Sequence, residues 1–380
     1  MSRILICTEV GDLHGASIHL ALQKMGHESL RWFSSDLPQL DAMSFKLNGD
    51  NTSLLCCGDE RMDLHSFDTV WNRRLGHPLP SSELTEADWH LAERECGIFL
   101  NNMLLEAASH GFWVNPPESA SRVEQSKLSQ LLAAKRLGWQ IPTTLISNDP
   151  SEIRDFLRSS KPHQVVVKPF RPVVWHNEAA DATAITMTAV LEEDAMPSDW
   201  LLRQCPSIFQ QRVIKDHELR VTCLGATVIA ARLNSQALHP RGQLDWRLAS
   251  LPSLGVEEVE LPEQVRSACI GLMHELGLVF GCIDLIVTRD QEYVFLEVNQ
   301  MGQFLWVEEA NPNIPLLDAF CQFLIAGHVD FAYDRSRQRF TLEEFQSASH
   351  ELTEIDEHHH HQHKASDLRF HEVNKTFKKT

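Results

Sequence analysis

No stretch of the chain approaches the ~18 uninterrupted apolar residues that a membrane-spanning helix requires, and the apolar start Ile4-Leu5-Ile6-Cys7 ends in Thr8-Glu9. Neither a membrane anchor nor a secretory signal is therefore expected. Cysteine is sparse and unpatterned: nine residues, single apart from Cys56-Cys57, with no Cys-x-x-Cys spacing. That excludes a disulfide framework or a zinc ribbon and points to a reducing cytoplasm. Bases are outnumbered, with 34 Lys and Arg against 52 Asp and Glu, a formal charge of −18. Such a balance repels nucleic acid and anionic membranes unless a local basic patch intervenes. There is no Walker P-loop, no Gly-x-Gly-x-x-Gly and no internal repeat, which disfavours Rossmann and P-loop nucleotide sites. What remains is 380 residues, enough for two or three domains with cores of their own.

The first 115 residues have an α/β pattern. A strand over 3–7 leads through a loop carrying Asp12 and His14 to a helix over 16–25, a strand follows over 68–74, and Thr85 and Asp88 start a long helix toward Gly111. Pro116-Pro117 and Ile141-Pro142 flank a helix predicted over 118–137. From 163 onward the pattern is β-rich, with strands at 163–168, 208–213, 218–223, 227–233, 282–288 and 293–299, interrupted by a helix over 262–276. The expected organisation is an N-terminal α/β domain (1–115), a central α+β lobe (116–205), a β-rich C-terminal lobe (206–327) and a flexible polar tail (328–380).

The most informative segment is a hairpin, Cys282 to Thr288 and Tyr293 to Asn299. With 289–292 as the turn, Thr288 pairs with Tyr293 and Asp284 falls opposite Glu297, with Asn299 on the same face. Like charges opposed on a sheet destabilise it, because their Cβ atoms are only about 5 Å apart. A divalent cation held by Asp284, Glu297 and Asn299 would offset the repulsion, and all-oxygen donors suit Mg²⁺. Pairing of either carboxylate with an arginine, or exposure to water, would offset it as well.

Lys168 ends the apolar strand Val165-Val166-Val167, where an unpaired ammonium is costly and an anionic ligand favourable. Lys127 is a second candidate, and snorkelling is the bland alternative for both. Phe209 to Val213 leads across a polar connector to Glu218-Leu-Arg220, so strand backbone could meet a purine while Glu218 accepts from ribose. Glu218 and Arg220 share a face, and a mutual or cross-strand ion pair, for instance with Arg232, is at least an equal alternative. Arg247 adds a loop cation. Lys168, Arg220 and Arg247 around bridged carboxylates are what phosphoryl transfer needs.

These residues resemble the ATP-grasp superfamily in order and spacing: a helix lysine, a Lys-Pro strand, a hinge, Glu-x-Arg, then Asp284 with Glu297 and Asn299. More narrowly the chain resembles the microviridin, or graspetide, maturases, through Trp71-Asn-Arg-Arg74, Asn115-Pro116, Lys127 to Leu131, Gly138 to Asp149, Phe209-Gln210, Glu218 to Val221, Asp245-Trp-Arg247 and Phe295 to Asn299 with Gly302-Gln303. The likeness extends over about 1–327. It implies an ATP-grasp fold with an N-terminal pre-ATP-grasp domain. Lys127 and Lys168 would contact ATP, Gln211, Arg212 and Val213 would form the adenine hinge, and Glu218 would hold ribose. Asp284, Glu297 and Asn299 would bind two Mg²⁺ ions, and Arg220 and Arg247 would face the phosphates and the acyl intermediate. It further implies an ADP-forming ligase that activates an Asp or Glu of a ribosomal precursor peptide as an acyl phosphate and joins it to a Lys amine or a Ser or Thr hydroxyl.

The implied partner is the precursor peptide, with a homodimer left open and neither nucleic acid nor membrane expected. Gln300, Met301 and Phe304 depart from the subfamily's Glu-Val-Asn-Pro-Asn-Gly-Gln-Trp, Asn72 replaces a usual aromatic, and Gln211 a usual hinge glutamate. Rival readings are a ligase that adds a free amino acid or amine, and a silent nucleotide-binding interaction protein. Arg73-Arg74 is either a grip for an acidic peptide or a solvated strand end. His14 could aid chemistry, although a lone loop histidine usually does not. Trp71 and Trp89 are expected in the core. The run His358 to His363 has the composition of a metal-binding tract, but its surroundings fit a solvated segment or an expression remnant.

Overall fold

The computed structural model describes residues 1–47, 52–57, 60–171, 174–177, 182–237, 243–248 and 251–359. Near the N-terminus, Glu28–Phe33, Arg3–Thr8, Thr69–Asn72 and Phe112–Val114 form a parallel four-stranded sheet in that order. Asp12 caps the helix Leu13–Lys24 by accepting from Gly15 N at 3.1 Å, and Thr85 caps Glu86–Ala107. A three-stranded antiparallel sheet, Asp41–Lys46, Thr52–Cys57 and Glu60–Asp63, lies in the same region.

The helix expected over 118–137 is two helices, Pro117–Gln125 and Lys127–Arg136, broken at Ser126. Ser126 favours the break because its side chain caps the second helix, accepting from Ser129 N at 3.1 Å. Lys127 thus opens a helix instead of lying within one. The middle region is an antiparallel sheet ordered Ala189–Leu191, Val165–Lys168, Ser207–Gln211, Thr144–Ser147.

The largest sheet is antiparallel and five-stranded: Val256–Val259, Thr227–Leu233, His217–Leu224, Phe280–Val287, Tyr293–Asn299. The helix Glu263–Leu276 packs on it and ends at Gly277, whose φ of 69° is the left-handed cap glycine allows. One continuous core joins the first sheet to the last: Ile4, Ile6 and Trp71 pack with Phe280, Phe304 and Phe320, the last on the helix Leu316–Ala326. Trp71 is a core residue as expected, whereas Trp89 is only half-buried.

Over 328–359 the chain departs from the expected flexible polar tail. It contains the helix Gln346–His359, which packs across Leu13–Lys24. Its buried face is polar, with Ser349 hydrogen-bonded to Ser17 Oγ at 2.9 Å and Asp356 in a bidentate pair with Arg31. The histidine run beyond His359 lies outside the described residues. Among the described residues no helix is long and apolar enough to cross a membrane.

Candidate active site

The five-stranded sheet sets Asp284 between two neighbours of opposite effect. On one side the register places it opposite Arg220, on the other opposite Glu297. The carboxylate pairing is the one the hairpin count gave, but the turn is not. Val287 pairs with Tyr293, leaving 288–292 as the turn, and a bulge beyond Asp284/Glu297 restores the register by leaving Leu296 unpaired.

Three cations answer the repulsion between the opposed acids. Arg220 Nη1 donates to Asp284 Oδ1 at 2.8 Å, and Lys127 Nζ donates to Glu297 Oε2 at 2.5 Å. Arg247 Nη1 lies 3.9 Å from Glu297 Oε1, beyond hydrogen-bond reach, while its Nε and Nη2 grip Asp245 at 2.8 and 2.9 Å. Asn299 Nδ2 donates to Asp284 Oδ2 at 2.9 Å, so the third expected ligand is on the same face. Repulsion alone therefore does not demand a metal, since the pairing alternative is realised as well.

The two carboxylates nevertheless differ. Burial works against ionisation of both. At Glu297 it is outweighed by Lys127, Arg247 and Lys168, which hold the carboxyl down to about 2. At Asp284 burial and the neighbouring Glu297 prevail over Arg220, and the carboxyl is raised. Burial lowers Lys168, and Lys127 and Arg247 add to that while Glu297 opposes it. Among the described residues no group of three His, Cys, Asp or Glu side chains is placed to hold a metal ion by itself. Two carboxylates and one amide are a partial oxygen set that fits an ion keeping water or phosphate ligands, so the donors suit Mg²⁺.

One cleft between the middle sheet and the five-stranded sheet gathers most of the predicted residues. Lys127, Lys168, Arg247, Asp284 and Glu297 line its charged end, and Gln211, Arg212, Val213 and Glu218 its other end. Arg220 and Asn299 stand behind Asp284. Val166, Ile208, Ile286 and Leu296 add apolar wall. In the hinge, Gln211 N donates to Thr143 O at 3.0 Å and Arg212 N to Gln164 O at 2.7 Å, so both amides are committed within the protein. Glu218 is buried and raised by that burial. It pairs with Lys215 at 2.9 Å instead of Arg232, and its Oε2 has no well-formed hydrogen bond among the described residues.

Sequence reasoning passed over Lys215, Asp245 as the partner of Arg247, and the Gln303 carbonyl, which accepts from Arg220 Nη2 at 2.7 Å. The Asp245-x-Arg247 spacing carried the second of these; a backbone acceptor leaves no residue signal. Two further expectations change. His14 is no free base: its Nε2 accepts from Phe304 N and Leu305 N at 3.3 and 3.2 Å. Burial, with Arg73 adding to it, lowers the imidazole to about 3. Arg73 is neither solvated nor open to a peptide, being 1% exposed against Asp12, whereas Arg74 pairs with Glu9 at 2.5 Å nearer the surface.

No family model matches the chain and no curated protein matches it. Solved structures do. A Chryseobacterium gregarium RiPP-associated ATP-grasp ligase, in complex with ADP and a leader and core peptide, is 25% identical over 90% of this chain and all of its own, with a TM-score of 0.77. The macrocyclase MdnC of Microcystis aeruginosa, bound with precursor peptide MdnA, is 25% identical over 85% of this chain and 99% of its own, with a TM-score of 0.74. PsnB, an ATP-grasp ligase complexed with a phosphomimetic variant of its minimal precursor, Mg and ADP, is 22% identical over 85% of this chain and 98% of its own, at 0.66. The chain thus has the ATP-grasp fold, in the form these peptide ligases share.

Proposed function

We propose that this chain is an ADP-forming ATP-grasp ligase that closes side-chain bonds within a ribosomally made precursor peptide. The observation that carries the reading is the meeting, in one cleft, of the opposed Asp284 and Glu297 with Lys127, Lys168 and Arg247, with Arg220 behind Asp284, in a cleft also lined by the hinge and a buried ribose-type acceptor. The apolar side chains of Val166, Ile208, Ile286 and Leu296 would take the base of ATP, and the hinge backbone at Gln211 to Val213 would supply its polar contacts. Glu218 Oε2, beside the Ser235 hydroxyl but without a well-formed hydrogen bond, is suited to accept from a ribose hydroxyl, because a buried carboxylate oxygen gains from a donor.

In the reaction a peptide carboxylate oxygen bonds to the γ-phosphorus and the β–γ bridging bond breaks, releasing ADP. The acyl carbon is then attacked by an amine or hydroxyl, the carbon–oxygen bond to phosphate breaks, and the nucleophile's proton goes to solvent. Lys168 and Arg247 stabilise charge developing on the phosphoryl group, and Arg220 fixes Asp284. Asp284, Glu297 and Asn299 would hold two Mg²⁺ ions, which when bound neutralise phosphate charge. Peptide as substrate is supported by the peptide complexes of the structural neighbours.

The test is mass spectrometry on peptides encoded beside the gene, incubated with the chain, ATP and MgCl₂. Loss of one water per bond with one ADP formed supports closure within the peptide. Gain of an amino-acid or amine mass supports the rival ligase, and binding of ATP without ADP release under any of these conditions supports the silent binder.

A further inference from the structure

The turn that follows the carboxylate strand, Gln300 to Leu305, is gripped by side chains from the N-terminal region. Asn115 Nδ2 donates to Gln300 O at 2.9 Å, and Arg73 Nη1 donates to Met301 O at 2.6 Å. His14 Nε2 accepts from the Phe304 and Leu305 amides. Gly302 has φ +56°, and a Cβ there would lie 2.2 Å from the Phe280 ring, so the turn is seated directly on the core. Between these grips, the Gln303 carbonyl accepts from Arg220 Nη2 at 2.7 Å, while Arg220 Nη1 holds Asp284 at 2.8 Å. Arg73 is itself anchored by Asp12, at 3.3 Å through Nε.

From this geometry we infer that Arg73 is a positioning residue for the carboxylate site: by holding Met301 O it fixes the turn whose Gln303 carbonyl aims Arg220, and Arg220 orients Asp284. A planar guanidinium suits the task because it reaches Asp12 and Met301 O from different nitrogens in a rigid fork. A lysine keeps the charge beside Asp12 but has one donor centre and cannot span both. The inference rests on the nucleotide and metal reading of the cleft, and adds to it a residue outside the cleft that governs how one ligand is presented.

The test uses Mn²⁺ as a paramagnetic probe of the carboxylate site and ADP as nucleotide. In Arg73→Lys, Mn²⁺ affinity of the ADP complex is expected to fall about tenfold, in the range seen when groups orienting a metal ligand are altered. ADP affinity in EDTA should stay within about twofold of the unsubstituted chain. Because Arg73 acts through Arg220, Arg73→Lys should add no loss in an Arg220→Lys background, the non-additivity of two residues in one chain of contacts. A purely structural role gives the same loss in both backgrounds, and that result, or an Mn²⁺ affinity that Arg73→Lys leaves unchanged, overturns the inference. If Arg73→Lys unfolds, Asp12→Asn with Arg73→Met removes the pair without a buried lone charge and is held to the same outcomes. An unsubstituted chain that binds no ADP refutes the nucleotide reading itself, and this inference with it.

Discussion

The two ends of the cleft are built on different principles. At the charged end every carboxylate is already held by a cation: Lys127 on Glu297 and Arg220 on Asp284 from other elements, and Arg247 on Asp245 within one loop. At the hinge end a buried carboxylate with its i,i+3 lysine, the strand backbone and the partly exposed Gln211 and Arg212 are set between apolar walls. The first end is arranged before any ligand arrives, so its groups need not reorganise when phosphate charge develops. The second recognises by fit, and its contacts are the same before and during reaction. Substitutions at the charged end should therefore depress turnover, and substitutions at the hinge end should depress affinity.

The largest expected effect is at the carboxylate pair. Glu297→Gln should lower ADP formation by about 10²–10³-fold, on the scale of losing one electrostatic stabiliser, while circular dichroism stays native. Full turnover in that variant would remove the distinction between the two ends. Next comes Lys168→Met, with about 10²-fold lower turnover but an unchanged or higher melting temperature. Burial already disfavours the ammonium, so removing it costs the fold nothing while removing a phosphate cation. A coincident loss of stability would instead make Lys168 a structural lysine.

Glu218→Gln sharpens the contrast from the hinge side: KM for ATP should rise about tenfold with kcat nearly kept, because the contact is equal in ground and transition states. A fall in kcat with KM unchanged would place Glu218 at the charged end in function. The smallest effect lies outside the cleft. Burial lowers His14 from 6.5 to about 3 and His19 to about 4. Below pH 6.5 the unfolded state binds protons that these folded rings refuse, so stability is complete above that pH and declines as pH falls toward 4. Melting temperatures between pH 7.5 and 5 should show the decline, and His14→Gln should flatten part of it.

Legibility in the sequence followed the same divide between local pattern and remote contact. The Asp284/Glu297 pairing was legible because alternation and hairpin length are local; an unpaired Leu296 cancelled a one-residue error in the turn. The Ser126 break was not, since a serine inside an apolar period looks like a tolerated helix residue until its hydroxyl is seen to cap. Gln346–His359 escaped hydrophobic periodicity because its buried positions Ser349, Thr353 and Asp356 are polar, at helical spacing but invisible to an apolar count. Arg73, His14 and Asn115 bind backbone groups 228, 290 and 185 residues away, which no residue type announces. Arg73 offered a choice between peptide grip and solvated end, and burial gave neither. Loss of its partner would cost about 3–5 kcal/mol, because a charge would be left alone in the interior.

The central claim, that a peptide carboxyl is activated by phosphorylation, is tested most directly by isotope transfer. A precursor peptide carrying ¹⁸O in its Asp and Glu side-chain carboxyl groups is incubated with the chain, ATP and MgCl₂. One ¹⁸O is expected in inorganic phosphate for each bond closed, because the labelled oxygen bridges carbon and phosphorus before the carbon–oxygen bond breaks. Bond formation with all the phosphate unlabelled would contradict that activation.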